Sequence, residues 1–386
     1  MQERPIAILG ATGSVGRQAQ EVAEGLGARV TLLSAHRSVK EAEAAARRHR
    51  PDRIVMTDAA AARDLAVRLA DTATAVLAGE EGLLEAIALD TSEVTVNSIL
   101  GSAGLLPSLA VLDKGARLAL ANKETMVTAG KLVRERASAS GAEILPVDSE
   151  HSAIFQSLKA GRHTEVKKLI LTASGGPFRG YTRERLQAVT RAEALAHPTW
   201  QMGQKITVDS ATMMNKGFEV IEAVRLFDVP PGRIEVVVHP ESIIHSAVEY
   251  IDNTVIAEMS VPDMRSCVQY ALTYPERCAG LTPALDLAAL GRVTFARPDP
   301  EAFPLLPLAF RAVERGGTAP AVLNAADEVA VAAFLEDTIT FGAIADVVEE
   351  TLTAVATPAE DLTSILAADG EARRVASSLV AKYSVR

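Results

Sequence analysis

Strand and helix patterns alternate along the first 148 residues, and this alternation limits how the chain can fold more than any other feature. Short apolar runs that predict strands are "IAIL", "RVTLLS", "DRIVM", "VTVNSI", "ARLALAN" and finally "AEILPVD". Alanine-rich segments such as "GRQAQEVAEGL" and "VKEAEAAARRH" predict helices between several of them. Strand–helix alternation is typical of a parallel sheet with helices on both faces. The sequence therefore predicts an α/β chain whose residues 1–148 form a Rossmann-like domain.

The pattern changes after this domain, and the chain of 386 residues is too long for one ordinary core. Residues 149–273 contain apolar strands with fewer helices between them, which predicts an α+β domain whose sheet has antiparallel pairing. Residues 274–299 are rich in Pro, Gly and Leu and predict a linker. Residues 300–386 carry helical periodicity and predict a C-terminal helical bundle.

Charge and cysteine usage exclude some classes of partner and compartment. The 39 basic residues against 49 acidic ones give a net charge of −10, which argues against nucleic acid as a partner. Cys267 and Cys278 form no CxxC motif, as expected for reduced thiols in a cytoplasmic protein. No apolar run reaches about 18 residues and no signal peptide is recognisable, so we expect neither a membrane span nor secretion.

The stretch "GATGSVG" follows the first strand and opens a helix. Gly10, Gly13 and Gly16 allow a tight turn in which helix N–H groups approach a pyrophosphate. The spacing is GxxGxxG rather than GxGxxG, so a tight turn that binds nothing is the alternative. After the second strand, where an NAD site usually has an acid, stand His36, Arg37 and Ser38. A cation and a hydroxyl favour the 2′-phosphate of NADP, unless Arg37 is a solvated helix start.

Two carboxylates stand one residue apart in "LPVDSEHSAIF". On an extended segment, residues i and i+2 point to the same side, so Asp148 and Glu150 would converge on one cation. Mg²⁺ or Mn²⁺ suits carboxylates and water better than zinc does. A solvated strand end followed by a helix N-cap is the alternative, and a third acid would decide between the two.

The segment "SATMMNKGFEVIEA" offers that acid. If it forms a helix from about Met213, then Asn215 and Lys216 share one face with Glu219. Lysine and amide would take a substrate phosphate while Glu219 reaches the metal. A surface Lys–Glu pair is the alternative for this segment alone.

Two further segments predict parts of a substrate pocket. Ser174, followed by two glycines at a strand end in "LTASGGPF", predicts a small-anion turn. Trp200 is the only tryptophan and lies in the polar stretch "HPTWQMG" beside His197. It is either a mobile cover over a ligand or an ordinary core or interface residue.

Together these segments resemble the 1-deoxy-D-xylulose 5-phosphate reductoisomerase family. The matching blocks, in family order from residue 6 to about 335, are "GATGSVG", "LANKE", "LPVDSEHSAIFQSL", "LTASGGPF", "HPTWQMGQKITVDSATMMNKGFE", "VVVHPESIIHS", "PDMR" and "LNAADEVAVAAFL". The resemblance implies an NADPH-binding domain, a connective catalytic domain, a linker and a helical bundle. It also implies a homodimer.

The resemblance also implies a reaction and a role for each matching residue. The reaction is the rearrangement and NADPH-dependent reduction of the ketose phosphate to 2-C-methyl-D-erythritol 4-phosphate, in non-mevalonate isoprenoid biosynthesis, with Mg²⁺ or Mn²⁺. Implied metal ligands are Asp148, Glu150 and Glu219. Implied catalytic residues are Lys123, Glu150 and His197. Implied substrate contacts are Lys123, Ser149, Glu150, Ser174, His197, Trp200, Ser210, Asn215, Lys216 and Glu219. Implied NADPH contacts are Thr12, Gly13, Ser14, Val15, His36, Arg37, Ser38, Asn122, Glu124 and Gly203. Met202 joins the flap, and His245 is a further pocket histidine.

The chain departs from the family pattern at two places, and two other functions compete. "AHRS" stands where relatives often carry Gly-Lys-Asn, and Asp327 stands where Asn is usual. One rival is another NADP-dependent dehydrogenase, but neither cysteine suits a semialdehyde dehydrogenase, and a homoserine-type enzyme explains neither the flap nor the three acids. The other rival is a non-catalytic NADP-sensing module. Metal-dependent NADPH oxidation with the ketose phosphate separates all three.

Overall fold

The computed structural model describes residues 4–200, 202–355 and 357–385, which divide into two compact units. The first unit comprises Met1–Thr125, Val133–Ser152 and Asp263–Ala284. The second comprises Met126–Leu132, Ala153–Pro262 and Leu285–Arg386. The contact units therefore do not follow chain order, and the division into four consecutive segments that was proposed from the sequence stays a prediction.

The strands and helices are numbered along the chain. The strands are β1 Ile6–Leu9, β2 Val30–Ala35, β3 Arg53–Met56, β4 Ala75–Ala78, β5 Val94–Asn97, β6 Arg117–Leu120, β7 Ile144–Pro146, β8 Val166–Ala173, β9 Ile234–Val238, β10 Ile244–Tyr250 and β11 Val255–Met259. The helices are α1 Ser14–Leu26, α2 Val39–His49, α3 Ala59–Arg68, α4 Gly79–Leu89, α5 Leu105–Asp113, α6 Lys123–Ser140, α7 Ser149–Ser157, α8 Arg183–Leu186, α9 Arg191–Ala194, α10 Gln204–Thr212, α11 Met214–Phe227, α12 Met264–Thr273, α13 Leu287–Leu290, α14 Leu305–Arg315, α15 Ala319–Leu335, α16 Phe341–Val355 and α17 Leu362–Lys382.

The first unit is built on a seven-stranded parallel sheet in the order β4-β3-β2-β1-β5-β6-β7. Its central strands β1, β2 and β5 are buried along their whole length, as expected when helices cover both faces. The chain order reverses between β1 and β5, and ligands of open α/β sheets bind at such a switch point. The predicted Rossmann-like sheet is confirmed, and it places the glycine loop at the end of β1.

The second unit combines a four-stranded sheet with helices. The strand order is β11-β10-β8-β9, in which β10 is antiparallel to both β11 and β8, while β8 and β9 are parallel. Helices α11 and α14 to α17 share one apolar core with this sheet, around side chains such as Phe218, Leu305 and Val322. The predicted helical C-terminal region is confirmed.

Two elements differ from the sequence-based expectation. Strand β4 was not predicted, because its four residues are alanine-rich, partly exposed and at the edge of the sheet, where no alternation marks them. Helix α10 precedes the helix that was predicted from about Met213 and was not itself predicted, because "QKITVDSAT" is rich in β-branched and polar residues. No helix in the described ranges has the length and apolar character needed to cross a membrane.

Candidate active site

The loop between β1 and α1 can be made only by glycine at two positions. Gly10 has φ +78°, and a Cβ there would lie 2.7 Å from the carbonyl oxygen of Ser98. A Cβ on Gly16 would overlap the carbonyl oxygen of Gly10. Gly13 is the N-cap of α1 and no side chain caps the helix, so the first N–H groups of the helix, beside Thr12, Ser14 and Val15, are not bonded to a capping side chain. This arrangement suits a pyrophosphate.

The end of β2 carries the three residues that were predicted to select NADP. His36, Arg37 and Ser38 are all exposed. The Nδ1 atom of His36 lies 2.8 Å from Oγ1 of Thr57, and Nε of Arg37 donates to Asp58 at 2.9 Å. These contacts use one side of each group and leave the other donors of Arg37 without another hydrogen bond in the described part of the chain.

Thr57 and Asp58 were missed by the sequence analysis. They follow β3, the parallel neighbour of β2, so they reach the same edge of the sheet as His36 and Arg37. The Asp58 carboxylate also caps α3 by accepting from the N–H groups of Ala60 and Ala61. The Ala61 N–H and the Arg37 guanidinium hold the pKa of Asp58 below its ordinary value. The sequence signal that could have identified this pair was an Asp at a helix N-cap position just after strand β3.

The end of β6 places Asn122 and Glu124 at the same sheet edge. Asn122 caps α6 through its Oδ1, which accepts from the N–H of Thr125. Its amide nitrogen donates to the carbonyls of Ile99 and Gly101 and to Glu124. The side chain therefore ties the loop after β5 to α6, and its contact with a cofactor stays a prediction.

Lys123 and Asp148 form a nearly buried ion pair. The ammonium nitrogen lies 2.6 Å from Oδ2 of Asp148, and the two side chains are 9% and 12% exposed. Nδ1 of the fully buried His151 lies 3.8 Å from the same oxygen. The alternative for Asp148, a solvated strand end, is therefore wrong.

The geometric premise for pairing Asp148 with Glu150 was wrong. The two residues do not lie on an extended segment, because Asp148 is the N-cap of α7 and Glu150 lies in its first turn. Carboxylate oxygens of the two residues still come within 4.8 Å of each other. Ser149 donates from its hydroxyl to Glu150 at 2.6 Å. A helix start thus brings the acids together where a strand was expected to do so.

In the second unit, the turn after β8 is shaped by two glycines. Gly175 and Gly176 have φ of +78° and +61°, and a Cβ on Gly176 would lie 2.7 Å from the carbonyl oxygen of Ser210. The N–H of Gly176 donates to Oγ of Ser174 at 3.3 Å. The turn therefore packs directly on the last turn of α10, which carries Ser210. The hydroxyl of Ser210 makes no hydrogen bond within the described residues.

His197 is held in one neutral tautomer. Its Nδ1 accepts from the N–H groups of Thr199 and Trp200, so the proton is on Nε2, which donates to Oγ of Ser174 at 3.0 Å. Burial lowers the pKa of His197, and the nearby Arg179 lowers it further. The imidazole is therefore a neutral donor at neutral pH.

The segment after His197 carries the predicted flap. Trp200 is half-buried, and its ring lies 6.3 Å from the ring of His245, which is buried. The hydroxyl of Thr199 donates to the carbonyl of Pro240 at 3.4 Å. Met202 is partly exposed and Gly203 is the exposed N-cap of α10. The flap therefore leads straight into the helix that ends at Ser210.

Helix α11 presents the predicted amide, ammonium and carboxylate on one face. Asn215 donates to Oε1 of Glu219 at 2.6 Å, and the Lys216 ammonium pairs with Oε2 of Glu219. Lys216 is 3% exposed and Glu219 is 1% exposed. The alternative of a surface Lys–Glu pair is therefore wrong. Burying the pair costs free energy, because both charged groups lose their contact with water. Met213, with φ +64°, makes the bend between α10 and α11.

Three family models match the chain. A model described as 1-deoxy-D-xylulose 5-phosphate reductoisomerase matches residues 6–130. A model of the C-terminal domain of the same enzyme matches residues 144–227. A further DXP reductoisomerase C-terminal domain model matches residues 259–375.

Relatives and solved structures agree with these matches over the whole chain. A 1-deoxy-D-xylulose 5-phosphate reductoisomerase of Symbiobacterium thermophilum is 50% identical, across 97% of this chain and 98% of the relative. One of Laribacter hongkongensis is 47% identical, across 96% and 97%. The Zymomonas mobilis reductoisomerase in complex with NADPH superposes with a TM-score of 0.92 at 42% identity, across 98% of this chain and 99% of that one. A DOX-P reductoisomerase with NADPH, fosmidomycin and magnesium gives 0.93 at 38% identity, across 98% of each chain.

Proposed function

The chain belongs to the 1-deoxy-D-xylulose 5-phosphate reductoisomerase family, and we propose that the side chains described above catalyse the family reaction in the roles given below. The chain converts 1-deoxy-D-xylulose 5-phosphate to 2-C-methyl-D-erythritol 4-phosphate and depends on NADPH and a divalent metal. The reaction belongs to non-mevalonate isoprenoid biosynthesis. The observation that carries the assignment of roles is the face of α11 on which the half-buried Asn215 and the buried Lys216 both contact the buried Glu219. A phosphate anchor and a metal ligand on successive turns would need these residue types.

The glycine loop and the ends of β2 and β6 are proposed to hold NADPH. The uncapped N-terminus of α1, with Thr12, Gly13, Ser14 and Val15, suits the pyrophosphate. His36, Arg37 and Ser38 supply two donors and a hydroxyl for the 2′-phosphate, which an acid in this place would repel. The further proposed contacts are Asn122, Glu124 and Gly203.

Asp148, Glu150 and Glu219 are the proposed ligands of Mg²⁺ or Mn²⁺. All three donors are carboxylate oxygens, which hard divalent cations prefer. Two of them, Asp148 and Glu219, are nearly buried carboxylates, and each needs a nearby positive charge, which a lysine supplies here. A bound metal cation would supply that charge instead and leave Lys123 and Lys216 available for the substrate.

Ser174, Ser210, Asn215 and Lys216 are the proposed phosphate ligands, with His197 beside them. Their donors are of three kinds, namely hydroxyl, amide and ammonium, and the neutral His197 adds an N–H directed at Ser174. Lys216 brings a positive charge in a buried position, where its attraction to a phosphate is least screened. The site should therefore select phosphorylated ketoses over free ones.

Lys123, Ser149 and Glu150 are proposed to contact the reacting hydroxyls, with Lys123, Glu150 and His197 as catalytic residues. When bound, the cation supplies Lewis acidity and the nicotinamide supplies hydride. Lys123 stabilises negative charge that develops on a substrate oxygen and moves a proton from its Nζ. Trp200 covers the pocket and excludes water, together with Met202 and the neighbouring His245.

We also propose a homodimer and a cytoplasmic location. Strand β11 is at one edge of its sheet, and Ile251, Val255 and Met259 are 65%, 50% and 39% exposed on or beside it. An exposed apolar sheet edge is a surface that a second copy of the chain would cover. Sedimentation analysis of the chain and of Val255→Lys tests this, and a wild-type monomer would contradict it. The cytoplasmic location is supported by the scarcity of cysteine.

One assay tests the assigned activity. Purified protein should oxidise NADPH only when both 1-deoxy-D-xylulose 5-phosphate and Mg²⁺ or Mn²⁺ are present, and fosmidomycin should block the oxidation. Oxidation that needs no metal, or that proceeds with an unphosphorylated ketose at equal efficiency, would contradict the proposed site. NADPH binding without any turnover would favour a sensing module.

A further inference from the structure

Lys205, in the first turn of α10, holds two buried carboxylates. Its ammonium lies 2.6 Å from Oδ2 of Asp209, one turn along the same helix, and 2.7 Å from Oδ2 of Asp327 on α15. The side chain of Asp327 is fully buried and that of Asp209 is 3% exposed. The same ammonium lies 4.8 Å from the centre of the Phe218 ring on α11. Three helices therefore meet at one lysine.

The charges of this cluster do not balance. Two carboxylates face one ammonium, and a buried net negative charge is costly unless it takes up a proton. Oδ1 of Asp327 is buried and accepts no hydrogen bond from the described residues. Burial raises the pKa of Asp327, while Lys205 and hydrogen bonding with Asp209 oppose that rise. A proton on Asp327, donated to Asp209, satisfies both the charge and the orphaned oxygen.

Other charged groups near the cluster do not remove the imbalance. On α15 the neighbour is Glu328, which adds negative charge but is itself paired with Arg373 of α17 at 2.6 Å. On α10 the charged members are Lys205 and Asp209 themselves. From α11 the neutral Phe218 ring faces the ammonium. One extra proton on the two acids would make the cluster neutral.

Helix α10 joins two parts of the proposed site. It begins at Gly203, just after the Trp200 segment, and ends with Ser210 and the bend that leads to Asn215 and Lys216. We propose that Lys205 and Asp327 are positioning residues that tie α10 to α15, so that the base of the flap and the phosphate-binding serine keep their places only while the two acids share one proton. This inference rests on the proposed function.

Asp327→Asn and Asp327→Ala form the central test, in the full chain loaded with metal and NADPH. The Asn variant can accept from Lys205 and donate to Asp209, as the protonated acid does, so its KM for the ketose phosphate should stay within about twofold of wild type. The Ala variant lacks both bonds, so its KM should rise about tenfold with little change in kcat. Glu328→Gln, which neutralises the adjacent acid on α15, is the matched control and should change neither.

The single tryptophan supplies a readout that does not need turnover. Acrylamide quenching of Trp200 fluorescence should be stronger in Asp327→Ala than in wild type, and unchanged in Asp327→Asn. In wild type, quenching and KM should both rise as the pH is raised and the shared proton is lost. In Asp327→Asn both should be independent of that ionisation. Lys205→Met should resemble Asp327→Ala.

Distinct results would overturn each part. If Asp327→Asn is as impaired as Asp327→Ala, the proton is not shared and a charged Asp327 is required. If Asp327→Ala changes neither quenching nor KM, the tie does not position α10. If quenching changes but KM does not, the tie stands and the phosphate role of Ser210 fails. Should Lys205→Met unfold, the comparison between the two Asp327 variants still decides.

Discussion

The ammonium of Lys123 lies 2.6 Å from the carboxylate of Asp148, with both side chains nearly buried. Lys123 begins α6 after strand β6, and Asp148 precedes α7 just after β7, so two adjacent parallel strands deliver the pair to one sheet edge. In their proposed roles as catalytic residue and metal ligand, Lys123 and Asp148 would separate on metal binding, because the carboxylate would then hold the metal and leave the ammonium for the substrate.

We expect Lys123→Met to separate these two roles. Turnover should fall by roughly 10²- to 10⁴-fold, because a group that stabilises or moves a proton in the reaction is lost. Metal affinity should not weaken, because the competing ammonium is removed from Asp148. Calorimetric titration with Mn²⁺ and steady-state kinetics measure the two effects. Asp148→Asn is the matched variant and should weaken metal binding instead. Wild-type turnover in Lys123→Met would remove it from the catalytic set.

Glu219→Gln and Lys216→Met should affect different parameters. The Gln variant should bind metal weakly and lose orders of magnitude in turnover while NADPH binding persists. The Met variant should mainly raise KM, because a proposed phosphate contact is lost rather than a group that reacts. Removing one partner of a buried pair costs about 3–5 kcal/mol, so thermal unfolding must be followed in parallel. A fully active Glu219→Gln would disprove its role as a ligand, and an unchanged KM in Lys216→Met would disprove the phosphate contact.

Asp58 should influence the choice between NADPH and NADH through Arg37. Asp58→Ser keeps a side chain that can cap α3 but is too short to reach the guanidinium. Its dissociation constant for NADPH should rise about threefold to tenfold, with that for NADH unchanged, because only NADPH has the 2′-phosphate. Fluorescence titration of both cofactors measures this. Asp58→Asn, whose Oδ1 can keep the cap while its amide nitrogen cannot accept from Arg37, should show the same selective loss. Equal losses for both cofactors would indicate a purely structural effect.

Acidification should loosen the Trp200 segment. The folded-state pKa of His197 lies below its ordinary value, so the unfolded chain binds more protons as the pH falls below about 6.5. Protonation also places a hydrogen on Nδ1, which then cannot accept from the N–H groups of Thr199 and Trp200. Trp200 fluorescence followed from about pH 8 to about pH 5 should show this change. His197→Gln should lack it, and an identical transition in that variant would contradict the assignment.

Sequence periodicity predicted the parallel sheet well, because its strands are buried apolar runs between amphipathic helices. It failed at β4, a short edge strand, and at α10, whose β-branched residues have low helix propensity. Tertiary interactions stabilise helix α10, namely the packing of its buried side chains and the contact of Lys205 with Asp327. Local propensity does not register such contacts.

The amino-acid sequence by itself determined the residue types of the site: glycines where a side chain cannot fit, the carboxylates proposed for a hard cation, and the lysine, amide and hydroxyls proposed for a phosphate. Only the tertiary structure decided how they are held. Asp148 and Glu150 approach each other across a helix start rather than along a strand, and Thr57 and Asp58 contact His36 and Arg37 from a neighbouring strand. Lys205 finds Asp327 more than a hundred residues away. Such partners depend on packing between elements distant in sequence, and no local pattern encodes that packing.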